Sequence, residues 1–177
     1  MNQMETARGR AVVMQPDEGR SWWQPMPANG HAAPKLVPSD TGFGSLSMGY
    51  QTIAPGGRVR PHSHGAQVEL QICFRGCGSV VVDGVTQPLV PGTACFLGPD
   101  VKHEIVNEGD GDLVMLWVIS PAGLEDFFAS VGRERTLGEP PPSPFERPTD
   151  VVAIERELGM NDTTASTGTS VSDTPCD

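Results

Sequence analysis

The stretch from Gly56 to Gly76 constrains this chain more than any other. It reads GGRVRPHSHGAQVELQICFRG and places His62, His64 and Glu69 at metal-ligand spacing. Two histidines one residue apart point the same way on an extended strand. Glu69 returns to the same site after a bend, and His103 arrives from a second segment, Gly92 to Asn107. Three of the chain's four histidines fall in these two segments. Three imidazoles and one carboxylate suit Fe, Mn, Ni, Co, Cu or Zn better than Mg or Ca.

An H-x-H pair alone is common on surfaces. Here the fixed Glu69, the flanking glycines and the second histidine segment turn it into a candidate ligand set. A zinc finger is excluded by the cysteines, because Cys73, Cys77, Cys95 and Cys176 form no C-x2-C pair.

These residues resemble the cupin superfamily. Its first motif, G-x5-H-x-H-x3-4-E-x6-G, is matched at every fixed position by Gly56, His62, His64, Glu69 and Gly76. Its second motif, G-x5-P-x-G-x2-H-x3-N, is matched at Gly92, His103 and Asn107. The Pro and Gly positions of that motif are Gly98 and Asp100 here, with Pro99 between them, so a turn departs from the pattern but no ligand is lost. The resemblance covers residues 45–120. It implies an all-β double-stranded β-helix, the jelly-roll barrel, around a mononuclear metal site. It leaves the reaction open, because cupins include dioxygenases, isomerases, epimerases, decarboxylases, lyases and binding proteins.

Composition narrows the partners. With 22 acidic and 12 basic residues the net charge is −10. That argues against nucleic acid and anionic membranes. No apolar run reaches the ~20 residues of a membrane helix, and the opening MNQMETARGR lacks an apolar signal core. A cytoplasmic protein with reduced cysteines is expected.

The chain divides into four parts. Residues 1–40 form an N-terminal arm carrying Trp22 and Trp23. Adjacent strand residues point to opposite faces. Either one tryptophan packs on the barrel and the other meets a partner subunit, or both cover the barrel's end. Residues 41–120 read as short strands joined by tight turns, the barrel proper, with Asp83-Gly84 as the strongest hairpin signal. Residues 121–160 hold a helix from Pro121 to Gly132, a Pro-rich stretch and a second helix from Asp150 to Leu158. In the first helix Leu124, Phe127, Phe128 and Val131 share one face and are expected to pack on the sheet. In the second, Val151, Ile154 and Leu158 share a side. Residues 161–177 are polar and expected to be disordered.

Two-residue alternation puts Gln71 and Cys73 on Glu69's face, pointing into the barrel. Core filling is expected for Cys73. For Gln71 a hydrogen bond to the site or to substrate is expected, because a buried amide needs partners. On the last strand either Met115, Trp117 and Ile119 or Val114, Leu116 and Val118 face inward. The strand pattern predicts a mostly apolar cavity for a planar, apolar small molecule with chelating oxygens. Glu69 and Gln71 are the candidate catalytic residues, and Glu69 or a neighbour would accept a substrate proton. The family resemblance then implies an Fe(II) dioxygenase that cleaves a C–C bond of an enolic or phenolic compound. The alternatives are a non-redox isomerase, lyase or cyclase, or a binding cupin without turnover. A homodimer with the arm at its interface is expected.

Overall fold

Short strands and turns dominate residues 9–161, which the computed structural model describes. The expected disordered tail lies outside these residues, apart from Asn161. In chain order the elements are β1 (Trp22–Trp23), β2 (His31–Leu36), α1 (Pro38–Thr41), β3 (Ser47–Ile53), β4 (Arg58–His64), β5 (Val68–Arg75), β6 (Gly78–Val82), β7 (Val85–Leu89), β8 (Ala94–Leu97), β9 (His103–Val106), β10 (Leu113–Ser120), α2 (Leu124–Val131), β11 (Arg133–Glu134), α3 (Val151–Glu157) and β12 (Met160–Asn161). The strands form a seven-stranded sheet, β11-β1-β2-β3-β10-β5-β8, and a five-stranded sheet, β12-β4-β9-β6-β7. All pairings are antiparallel, as in a jelly roll.

Turn chemistry sets these strands. Asp83 and Gly84 both take positive φ, 47° and 84°, which a two-residue turn between β6 and β7 requires. Gly76 takes φ 83°, and a Cβ there would lie 2.4 Å from the Asp112 carbonyl oxygen. The closing glycine of the histidine segment therefore lets two chain segments touch.

Burial settles which face of β10 points inward. Met115, Trp117 and Ile119 are fully buried, while Leu116 and Val118 are half-buried on the outside. Burying Met115 and Ile119 contributes roughly 1.5–3 kcal/mol each in transfer free energy. The core has two lobes. One gathers Trp22, Ala32, Trp117, Ile119, Leu124, Phe128 and Met160; the other gathers Ile53, Cys73, Val80, Leu89, Ile105, Leu113 and Met115.

The segment read as an arm supplies β1 and β2 to the larger sheet. Trp22 and Trp23 are both buried within the chain, Trp22 beside Trp117 and Trp23 with its Nε1 donating to Glu139. Both tryptophans thus cover the barrel's end. One other expectation needs correction. Cys73 and Cys95 are free thiols, but Cys77 is disulfide-bonded, so the cysteines are not all reduced. In α3 Val151, Ile154 and Leu158 are half-buried, and the buried residue is Glu155, whose carboxylate is held by two guanidiniums.

Candidate metal centre

The four predicted ligands converge. Their ligand atoms all lie within 4.8 Å of one another. His62 and His64 come from β4, and His103 opens β9 directly opposite His62. Glu69 comes from β5 in the facing sheet, so the cluster bridges the two layers. A register shift in β4 makes this possible. Val59 packs into the second core lobe, and the ladder to β9 slips between Val59 and His62. Such a bulge reverses inward parity, which brings even-numbered residues to the interior from there on.

Hydrogen bonds aim the imidazoles. His62 Nδ1 lies 2.9 Å from the Arg60 carbonyl oxygen, and His103 Nδ1 lies 3.0 Å from that of Val101. Donation from Nδ1–H leaves each Nε2 as the free lone pair facing the cluster. Burial, with His103 and His64 alongside, pushes His62 well below its usual range, so it stays a neutral ligand. Burial alone would raise the Glu69 carboxyl. The imidazoles of His103 and His64 outweigh that and hold it well below the usual carboxylate range.

Glu69 Oε2 lies 3.2 Å from His103 Nε2 and 3.4 Å from His64 Nε2. Yet none of these three buried atoms has a hydrogen bond of acceptable geometry. A divalent transition metal would satisfy all of them at once, and three neutral imidazoles with one carboxylate are a donor set such ions accept. Burial without partners is costly for polar atoms, so the cluster fits a metal better than it fits an empty core.

Gln71 stands beside it, donating from Nε2 to Glu69 Oε1 at 2.8 Å. Its own Oε1 is buried without a partner. Cys73 is buried in the second lobe as core filling. Asn107, the last position of the second motif, donates to the Ile53 and Gly111 carbonyls and accepts from Gly109 N–H, so it staples a turn.

A cavity of about 70 Å³, partly open to solvent, adjoins His62, Glu69 and Gln71. Its wall adds to two expectations. Leu124, Phe127, Phe128 and Val131 line it as well as packing inward. It is mostly apolar, as expected, but Arg58, Arg60, Arg147 and Glu155 also line it, charges that the strand pattern does not predict. Arg60 had a signal in the sequence, two residues before His62, but the bulge that turns it inward leaves no trace there. Arg147 and Glu155 come from the Pro-rich stretch and α3, whose placement over the barrel no local pattern encodes. The Gln24–Gln51 amide pair, joined at 2.7 Å, was likewise missed.

Residues 49–119 match the family model described as "Cupin domain". These residues form a cupin domain. Among curated relatives, this cupin is 29% identical over 101 residues to Protein SchB of Streptomyces halstedii, covering 57% of this chain and 73% of that protein. It is 31% identical over 86 residues to Polyketide synthase CurC of Streptomyces cyaneus, covering 49% of this chain and only 56% of that one. A solved structure of a predicted oxalate decarboxylase from Thermotoga maritima superposes with a TM-score of 0.54 at 23% identity, over 63% of this cupin and 100% of that chain. At that identity the likeness concerns the fold alone. Among the described residues, no helix is long and apolar enough to cross a membrane.

Proposed function

We propose that this cupin is a mononuclear metal-dependent enzyme, an Fe(II) dioxygenase that cleaves a C–C bond of a metal-chelating enolic or phenolic small molecule. The observation that carries this reading is the engagement of every acid–base group in the cavity wall. Glu69 Oε1 accepts from Gln71, its Oε2 faces the imidazoles, and Glu155 accepts from Arg60 and Arg147. An isomerase or lyase that moves protons between carbons needs a positioned base of its own. A chelating enol or phenol bound at a divalent ion loses its proton far more readily.

His62, His64, Glu69 and His103 would hold the ion, and Fe(II) there supplies the electron transfer that lets O2 react with a bound organic molecule. Mn, Ni, Co, Cu and Zn fit the same donors. Gln71 has two roles: its Nε2 orients Glu69, and its Oε1 accepts a hydrogen bond from a substrate hydroxyl. Leu124, Phe127 and Phe128 bound one side of the cavity and exclude water from a flat ring.

A non-redox reading, an isomerase, lyase or cyclase with the metal as Lewis acid, is favoured by the polyketide synthase among the relatives, which is not named for an oxidation. An oxygen electrode separates the two. Iron-loaded protein is expected to consume O2 with loss of an enolic or phenolic substrate and to stop under strict anaerobiosis. Full turnover without O2, or with Zn(II) in place of iron, would replace the dioxygenase reading by the Lewis-acid one.

A further inference from the structure

Arg60 Nη2 and Arg147 Nη2 both donate to one oxygen, Glu155 Oε1, at 2.6 and 2.7 Å. The three side chains are largely covered, at 30, 17 and 7% exposure. All three line the cavity that holds His62 and Glu69.

This arrangement is incomplete as it stands. A guanidinium is a planar fork built to grip a carboxylate with two parallel bonds. Here two forks crowd onto one oxygen, and Arg147 Nη1 is buried with no hydrogen-bond partner. Leaving such a donor unpaired costs about 1–3 kcal/mol. Two guanidiniums against one carboxylate also leave one positive charge in excess, inside a chain whose net charge is −10. The other lining guanidinium, Arg58, is mostly exposed and pairs with Glu104 instead.

We infer that Arg60 and Arg147 form the recognition site for a carboxylate on the substrate, with Glu155 holding both guanidiniums in place until it arrives. This rests on the metal-enzyme reading above and specifies its substrate class. The molecule carries chelating oxygens at one end, for the metal, and a carboxylate at the other, for the arginines. A single excess charge matches a carboxylate monoanion better than a phosphate dianion. The expected substrate therefore carries a charged group beyond the chelating oxygens that the strand pattern predicts.

Binding to the Zn(II)-loaded protein tests this without turnover. Calorimetry would compare catechol with its benzoate, phenylacetate and phenylpropanoate homologues and with their methyl esters. At least one acid is expected to bind about tenfold tighter than its ester, the size of one added charge-assisted hydrogen bond. Arg147→Met should erase that difference while leaving catechol affinity and zinc content unchanged, since Arg60 still pairs with Glu155. Glu155→Gln should move the other way, tightening the acid, because the competing carboxylate is gone. A merely structural trio would not give opposite signs. If Arg147→Met does not fold, as judged by circular dichroism, the Glu155→Gln result decides alone. Acids that bind no tighter than their esters, or a preference that survives Arg147→Met, would overturn the assignment. Catechol binding equally well to zinc-free protein would instead count against the metal reading, independently of the acid–ester difference.

Discussion

Gln71 is a barrel-wall residue in direct contact with the candidate metal centre. Its Nε2 reaches Glu69 Oε1 at 2.8 Å, in a setting where both side chains are almost wholly buried. Gln71→Leu keeps the volume but leaves that oxygen without a donor. Glu69 then loses the donor that orients it, and a misaligned ligand binds a cation less well. Loss of a partner of this kind lowers metal affinity about 10–100-fold. Competition with a chelator of known affinity should show that fall, with the melting temperature nearly unchanged. An affinity equal to the wild type would mean that Gln71 does not act through Glu69.

At the scale of elements, Asn107 ties the exit of β9 to the end of β3. Its side chain makes three hydrogen bonds to backbone groups, between 2.8 and 3.0 Å. Asn107→Ala removes them from a buried turn. At about 1 kcal/mol for each bond, the expected loss is about 2–4 kcal/mol. Urea unfolding should show it as a lower midpoint with unchanged slope. A loss near zero would mean that water replaces the amide fully. Elements differ in how openly the sequence declares them. The candidate ligands were legible from their spacing in two motif segments, Gln71 and Cys73 because strand alternation is local, and the hairpin at Asp83-Gly84 because positive φ selects those residues. Arg60 was not, because a register slip in β4 depends on what β9 presents opposite it. Glu155 was hidden for a related reason. An acidic residue in a short helix reads as solvent-facing, and only the arrival of Arg60 and Arg147 from elsewhere makes its burial favourable.

At the scale of the whole molecule, one apolar face is left uncovered among the described residues. On the outside of the seven-stranded sheet, Leu70 pairs with Phe96 and Val118, and Leu116 pairs with Ile72 and Tyr50. Phe96 is 70% exposed and Phe74 58%. None of these residues is charged, so this is where two copies of a chain with net charge −10 can meet without repulsion. Because Trp22 and Trp23 are buried in their own chain, the expected dimer interface moves from the arm to this sheet. Light scattering should give twice the 18.8 kDa chain mass, and Phe96→Lys should yield monomers; a monomeric wild type would contradict the interface. The metal centre between the two sheets remains the central claim. Elemental analysis combined with X-ray absorption of protein from its native host addresses it most directly. The expected result is a single transition-metal ion per chain, with nitrogen and oxygen neighbours at about 2.0–2.2 Å, absent from a His103→Ala variant that keeps its β-sheet circular dichroism. Metal-free native protein that binds no added transition metal, or a His103→Ala variant that retains the ion, would contradict it.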